Sequence, residues 1–291
     1  SYYSSQYEML FQKVEWYDAD LSDITSLDAA FVNVTQVYHC AAMISFDPSD
    51  FAKLQKVNVE GTANVVNMCL AHSIEKLCHV SSIATLGKSK GKMEVTEESE
   101  WNEQDANVYG ISKYAAEMEV WRGSQEGLAV AIINPGVIIG PGFWQTGSGE
   151  LFQTAAKGRN YYPPSGTGFV AVNDVVNAMI RLMESPIKNE RFIAVGTNTS
   201  FKDILTQLTA YLNKPRPKKM ILFWQLEVIW RLDWLWHLIS GKKRNLTKNT
   251  VESLRNQEIY SSQKVMDQLQ FKFQPVETAL LFASQKFLEE Q

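Results

Sequence analysis

What most constrains this chain is a recurring pattern of short apolar runs, largely β-branched, separated by stretches with helical periodicity. The runs are "KVEWYDAD" (13–20), "QVYHCAA" (36–42), "KLCHVSS" (76–82), "AVAIINPG" (129–136) and "RFIAVG" (191–196). Helical patterns cover 22–31, 49–72, 107–125 and 173–185. A buried strand that returns through a helix enters the sheet parallel to its predecessor, because a parallel pair needs a crossover of roughly a dozen residues or more. The expectation is an α/β fold, a doubly wound parallel sheet with helices on both faces. Ligands in such folds sit outside the carboxyl ends of the strands, so chemistry is sought there.

Beyond residue 196 the alternation fades into largely helical text, with a break at "KPRPKK" (214–219) and Trp-rich material after it. A helical region of this kind is expected to cover a pocket at the strand ends. At 291 residues and 45% hydrophobic content the chain can enclose a sizeable core. Its formal charge of -4 and pI near 5.7 offer no basic field to a phosphate backbone, which argues against nucleic acid and for a small-molecule ligand. Cys40, Cys69 and Cys78 form an odd set without CxxC spacing, which fits a reducing, cytoplasmic setting better than disulfides or zinc. His39, His72, His79 and His237 show no metal-binding spacing, so no metal is expected.

The most apolar stretch, 220–240, has the length of a membrane span, yet Glu227, Arg231 and Asp233 interrupt it. Each Asp or Arg near a bilayer centre costs about 2.5–3.5 kcal/mol. No transmembrane span is expected. Two readings stay open: a helix packed on the protein, or one lying on a membrane surface.

Nucleotide-binding sheets open with a strand, a glycine-rich turn and a helix, and no GxGxxG follows a strand in this sequence. The text begins close to what reads as a third strand. A parallel sheet without its central first strand leaves ladder groups unpaired, so the expectation is an additional N-terminal segment of about 30 residues, one βαβ unit.

Two tyrosine–lysine pairs share an i, i+4 spacing, Tyr109 with Lys113 in "NVYGISKYAAE" and Tyr260 with Lys264 in "IYSSQKV". With 11 tyrosines, roughly one such match arises by chance. Context separates the pairs. The first lies in a helical pattern, between a strand ending in Ser81 and Ser82 and a strand running into a Pro/Gly loop; the second comes late, with no strand-end serine before it. A phenol with a pKa near 10 is a poor base at neutral pH, and lowering it by roughly three units requires about 4 kcal/mol of preference for the phenolate. A neighbouring ammonium and the positive charge of an oxidised nicotinamide supply that preference, while a serine hydroxyl binds the substrate oxygen.

These features resemble the extended short-chain dehydrogenase/reductase family, of the NAD-dependent epimerase/dehydratase type, over nearly the whole sequence after the family's glycine motif. The resemblance implies a Rossmann-like sheet with a smaller, mainly helical C-terminal substrate region. It implies an NAD(P)-binding unit over 1–140, completed by 169–197, and a substrate region from 141–168 and 198–291. In "VSSIATLG" it implies Ser82 as catalytic serine, with Ser81 the fallback, and in "YGISK" Tyr109 as acid/base and Lys113 as the lysine that lowers its pKa and holds the nicotinamide ribose. "YDADLSD" implies Asp20 and Leu21 beside the adenine, "YHCAAMIS" backbone contact from Cys40, Ala41 and Ala42, "NVEGTANVV" the polar Asn58, and "INPGVIIGPG" Pro135, Gly136 and Val137 near the carboxamide. Asn58 and Gly61 also have structural readings, and Asp174 in "FVAVNDVVNAM" reads as an N-terminal residue of its helix. A homodimer through the Tyr109 helix is a further implication.

Dehydratases of this family carry acidic residues just after the active-site hydroxyl, where this chain has Ile83 and Ala84. Epimerases carry an Asn-Val-Tyr-Gly-Pro run where this chain reads "NPGVIIGPG". The form is closer to the dihydroflavonol reductase and 3β-hydroxysteroid dehydrogenase branch. The expected activity is reversible alcohol/carbonyl oxidoreduction, with NAD or NADP, of a partly apolar small molecule. An NAD-dependent nucleotide-sugar epimerase is the alternative, and a non-catalytic NAD(P)-binding sensor the second alternative. Phe223, Trp224, Trp230, Trp234 and Trp236 are expected either to line an apolar pocket or to pack in a core.

Overall fold

The computed structural model describes residues 7–88, 94–240, 244, 246–254 and 258–291. In chain order the strands are β1 (Gln36–His39), β2 (Lys76–Val80), β3 (Val130–Pro135), β4 (Val137–Ile139), β5 (Tyr161–Tyr162), β6 (Gly166–Ala171), β7 (Glu190–Ala194), β8 (Thr197–Ser200) and β9 (Lys219–Met220). The helices are α1 (Tyr7–Phe11), α2 (Ile24–Ala30), α3 (Phe51–Leu54), α4 (Gly61–Ala71), α5 (Val108–Gln125), α6 (Gly149–Ala156), α7 (Val172–Glu184), α8 (Phe201–Tyr211), α9 (Phe223–Ser240), α10 (Lys248–Ser253), α11 (Gln263–Leu269) and α12 (Val276–Glu289). A π-helical turn, Gln55–Glu60, joins α3 to α4.

Strands β1, β2, β3 and β7 form a wholly parallel sheet in that order, with Gln36 opposite Lys76, Leu77 opposite Val130 and Ala131 opposite Glu190. Side chains alternate across it with the two-residue period of a strand. Val130 and Ile132 of β3 pack with Leu77, Val65, Val66 and Val120 under α4 and α5. Ala131 and Ile133 point the other way, into a core with Cys78, Val175, Leu182, Phe192 and Val265 under α7 and α11. Helices therefore cover both faces, which is the doubly wound arrangement and the reason β3 is apolar throughout.

The expected strand at 13–20 does not form. These residues make no ladder, and Val14, Trp16 and Tyr17 are exposed. An isolated extended run cannot satisfy its own N–H and C=O groups, so its apolar composition alone could not make it a strand. Among the described residues β1 is the edge of the sheet.

A second sheet, β4-β6-β8, carries the chain away from the carboxyl end of β3. Gly136 makes this crossing possible: a Cβ there would lie 2.4 Å from the Gly168 carbonyl oxygen. Ile139, Phe152, Phe169, Leu205, Leu280 and Phe287 build a separate core between this sheet and α6, α8 and α12. Replacing Phe287 by alanine in such a core costs about 3–5 kcal/mol.

Helix α9 departs from the expectation of a packed or pocket-lining helix. Only Leu226 of its described residues is buried, while Trp224, Trp234 and Trp236 are exposed. Those three rings form no core; Phe223 and Trp230 are half-buried.

Candidate active site

Helix α5 starts at Asn107, whose side chain accepts a hydrogen bond from the Gly110 amide at 2.9 Å and so satisfies one of the free N–H groups of the first turn. Gly110 lets this turn sit close to the end of β2, since a Cβ there would lie 3.0 Å from the Ala84 carbonyl oxygen. Tyr109, Lys113 and Glu117 then fall one turn apart on the face turned to the strand ends.

The two serines after β2 have different roles. Ser82 caps the short 3-10 turn Ile83–Thr85, accepting from the Ala84 amide at 3.1 Å, and its side chain lies near enough to the Tyr109 phenol to draw that group's pKa down. Ser81 is buried and donates to Glu117 Oε2 at 2.6 Å. Burial pushes the Tyr109 pKa up, and Ser82 opposes that shift.

Lys113 is fully buried and donates from Nζ to the carbonyl oxygen of Val80, the last residue of β2, at 2.9 Å. Burial lowers its pKa to about 8, with Glu117 and Cys40 pulling it back up. Two histidines close by stay neutral at physiological pH. Burial, with the Lys113 charge adding to it, holds His39 down at about 4 and His79 well below its ordinary value. Their rings lie 5.1 Å apart, and His39 Nε2 meets Thr62 Oγ1 at 2.9 Å.

Under the site lies a buried polar network that the sequence reading missed. Glu117 Oε2 accepts from Ser81, from Thr85 Oγ1 at 2.9 Å and from Asn134 Nδ2 at 3.0 Å, while Oε1 pairs with Arg191 of β7 at 3.2 Å. Asn134 also donates to the Ser82 carbonyl at 3.2 Å. One carboxylate thus ties α5 to β3, β7 and the turn after β2, and fixes the backbone that carries Ser82. The visible signal was an acid one turn beyond Lys113 on a helix face turned to the sheet.

The other sequence-assigned residues lie on several elements. Asn58 is buried, accepts from the Met43 amide at 2.7 Å, and donates to the Met43 carbonyl and Ser112 Oγ, each at 3.0 Å. Its side chain thereby pins the segment holding Cys40, Ala41 and Ala42, all three exposed. Asp20 is exposed, and its Oδ1 accepts from both the amide and the hydroxyl of Ser22, which lower its pKa. Leu21 packs where a Gly61 Cβ would lie, 3.0 Å from its Cδ1, so Gly61 serves close packing. Pro135 is buried, while Gly136 and Val137 are half-buried at the crossing to β4. Asp174 accepts from the Gln274 amide at 3.0 Å, tying α7 to the loop before α12.

Among the described residues no group of three or more His, Cys, Asp and Glu could hold a metal ion, and no helix is long and apolar enough to cross a membrane. A hollow of about 390 Å³ is lined by Val195, Gly196, Tyr260 and Phe273, and one of about 480 Å³ by Tyr162, Thr167 and Met220; neither includes Ser82, Tyr109 or Lys113.

The chain is 29% identical over 207 residues to sterol demethylase protein B of Methylococcus capsulatus, covering 69% of this chain and 62% of that one. It is 28% identical over 221 residues to a putative dihydroflavonol 4-reductase of Synechocystis, covering 72% and 63%. It spans about three fifths of the length of these relatives. The solved structure of UDP-glucose 4-epimerase from Thermotoga maritima, bound to UDP-glucose, superposes with a TM-score of 0.78 at 18% identity, over 99% of this chain and 89% of that one. A family model described as the NAD dependent epimerase/dehydratase family matches residues 2–196, which hold all four strands of the parallel sheet and the Ser82–Tyr109–Lys113 region. On that match the chain belongs to the NAD dependent epimerase/dehydratase family.

Proposed function

We propose that this protein is an NAD(P)-dependent oxidoreductase that interconverts an alcohol and a carbonyl. The observation that carries this reading is the grouping of three residues at the end of β2: Tyr109 with Ser82 acting on its phenol, and Lys113 one helical turn along, bonded to the Val80 carbonyl. A reductase among the relatives supports the same direction.

The donor set fits a dinucleotide at the carboxyl ends of the strands. Lys113 Nζ has one hydrogen bond among the described residues, to Val80, which leaves two of its three N–H groups for ribose hydroxyls. Cys40, Ala41 and Ala42 offer exposed backbone along the same edge. Asp20, with Oδ2 unengaged among the described residues, and Leu21 would lie toward the adenine, and Pro135, Gly136 and Val137 toward the carboxamide. A nicotinamide bound there supplies or accepts hydride.

The protein's own groups manage the proton. Tyr109, held protonated by burial, donates its phenolic proton to the substrate oxygen as a carbonyl becomes an alcohol, and takes it back in the reverse direction. Ser82 Oγ donates a hydrogen bond to the same oxygen and fixes it beside the phenol. The Lys113 ammonium stabilises negative charge on the tyrosine oxygen.

Titration with NADH and NADPH, followed by turnover on a panel of aldehydes and ketones, tests this reading. Net cofactor oxidation supports it. Conversion of a nucleotide sugar without net cofactor change identifies an epimerase, and cofactor binding without turnover on any panel identifies a sensor.

A further inference from the structure

Helix α9 exposes most of its apolar side chains. Trp224, Val228, Leu232, Leu235 and Ile239 follow one another at spacings of four, four, three and four, so they form one stripe along the helix. All five are exposed, by 63%, 47%, 59%, 47% and 81%. Asp233 and His237 lie on the opposite side and are half-buried, with Asp233 Oδ2 accepting the Leu246 amide at 3.1 Å, while Arg231 is exposed beside the stripe. An 18-residue helix is about 27 Å long. This is a contiguous apolar surface rather than scattered exposed residues.

The charge around it is as uneven as the burial. From Lys214 to Lys248 the sequence has nine basic residues and two acidic ones, within a chain of net charge -4. Lys214, Arg216, Lys218 and Lys219 are exposed immediately before the helix. The two acids are engaged within the protein, Glu227 by Arg231 at 2.7 Å and Trp230 Nε1 at 2.9 Å, Asp233 as above. An apolar stripe with tryptophans, bordered by cations, is complementary to the surface of an anionic bilayer: the rings and aliphatic groups enter the headgroup boundary and the lysines meet the phosphates.

We infer that α9 lies in the plane of an anionic membrane surface and docks the protein there without crossing it. This surface uses none of the residues placed in the candidate active site, so the inference stands apart from the proposed activity.

The test is co-sedimentation of the full protein with vesicles of phosphatidylcholine alone and of phosphatidylcholine with phosphatidylserine, at low and high salt. The expected result is binding to the anionic vesicles, weakened by salt and accompanied by a blue shift of tryptophan fluorescence. Leu232→Glu with Ile239→Glu, both at exposed positions, abolishes binding while the thermal unfolding midpoint stays unchanged. Replacing Lys214, Arg216, Lys218 and Lys219 by Gln lowers partitioning by on the order of 10²- to 10³-fold. Absence of vesicle binding at low salt overturns the inference, as does binding that survives the Glu pair. It is also overturned if the Glu pair instead dissociates a dimer in light scattering, since the face would then belong to a second copy of the chain.

Discussion

Tyr109 with Lys113, and Tyr260 with Lys264, carry the same spacing and opposite surroundings. Helix α5 runs unbroken through the first pair, so the spacing places both side chains on one face. The second pair straddles a helix start: α11 begins at Gln263, and Tyr260 lies before it in a bridge to Val95. Lys264 turns to Glu190 at 2.9 Å and sits over the Phe192 ring at 4.8 Å. Burial, with the Glu258 charge adding to it, raises the Tyr260 pKa, and no serine relieves it there as Ser82 does at Tyr109. A spacing has helical meaning only inside a helix, and a phenol has catalytic meaning only beside a group that can share its proton.

The lysines should diverge most sharply. Lys113→Ala is expected to lower turnover by roughly 10²-fold or more and to weaken cofactor binding. Lys264→Ala, which loses a surface ion pair, should change stability by about 1 kcal/mol or less and leave turnover alone. Steady-state kinetics and thermal melts on the two variants decide this, and equal kinetic losses would erase the distinction. Next comes the support beneath the first pair. Glu117→Ala removes the buried charge that pairs with Arg191 and the acceptor shared by Ser81, Thr85 and Asn134, and should cost about 3–5 kcal/mol in urea unfolding. A loss under about 1 kcal/mol would show that the network is not what fixes this end of the sheet.

The pH dependence follows from the two buried histidines, of which His39 can be assigned a share of its own. Its folded pKa of about 4 lies below the ordinary 6.5, so between those values the unfolded chain binds the extra proton. The stability contributed by neutral His39 is fully present above pH 6.5 and is lost as pH falls toward 4, by about 3 kcal/mol. His39→Gln should flatten that part of the stability curve, and an unchanged slope would assign it elsewhere. The smallest effect is at the helix start: Asn107→Ala removes the cap of α5 and should cost about 1 kcal/mol.

The parallel sheet was legible because β2, β3 and β7 are buried on both sides and need no alternation to be recognised. The run at 13–20 looked like them and is not a strand, because strand formation depends on a neighbouring ladder that a local pattern cannot reveal. Asn58 shows a similar limit: its segment was recognisable, but its bonds to Met43 and Ser112 join residues far apart in sequence. Glu117 was passed over because a single acid in a helix reads as a solvated residue until its partners from β3 and β7 are in view. Helix α9 was the reverse case, since its apolar composition left a packed helix and a surface-lying one both open, and the structure shows that the apolar stripe faces outward.

The central claim concerns the proton at Tyr109. Its most direct test compares turnover and cofactor affinity, on the same preparations, for the native protein, Tyr109→Phe and Tyr260→Phe. The account predicts that Tyr109→Phe binds NADH or NADPH as the native protein does while losing about 10²- to 10⁴-fold in kcat, and that Tyr260→Phe turns over normally. Native kcat in Tyr109→Phe, or an equal loss in Tyr260→Phe, would contradict it.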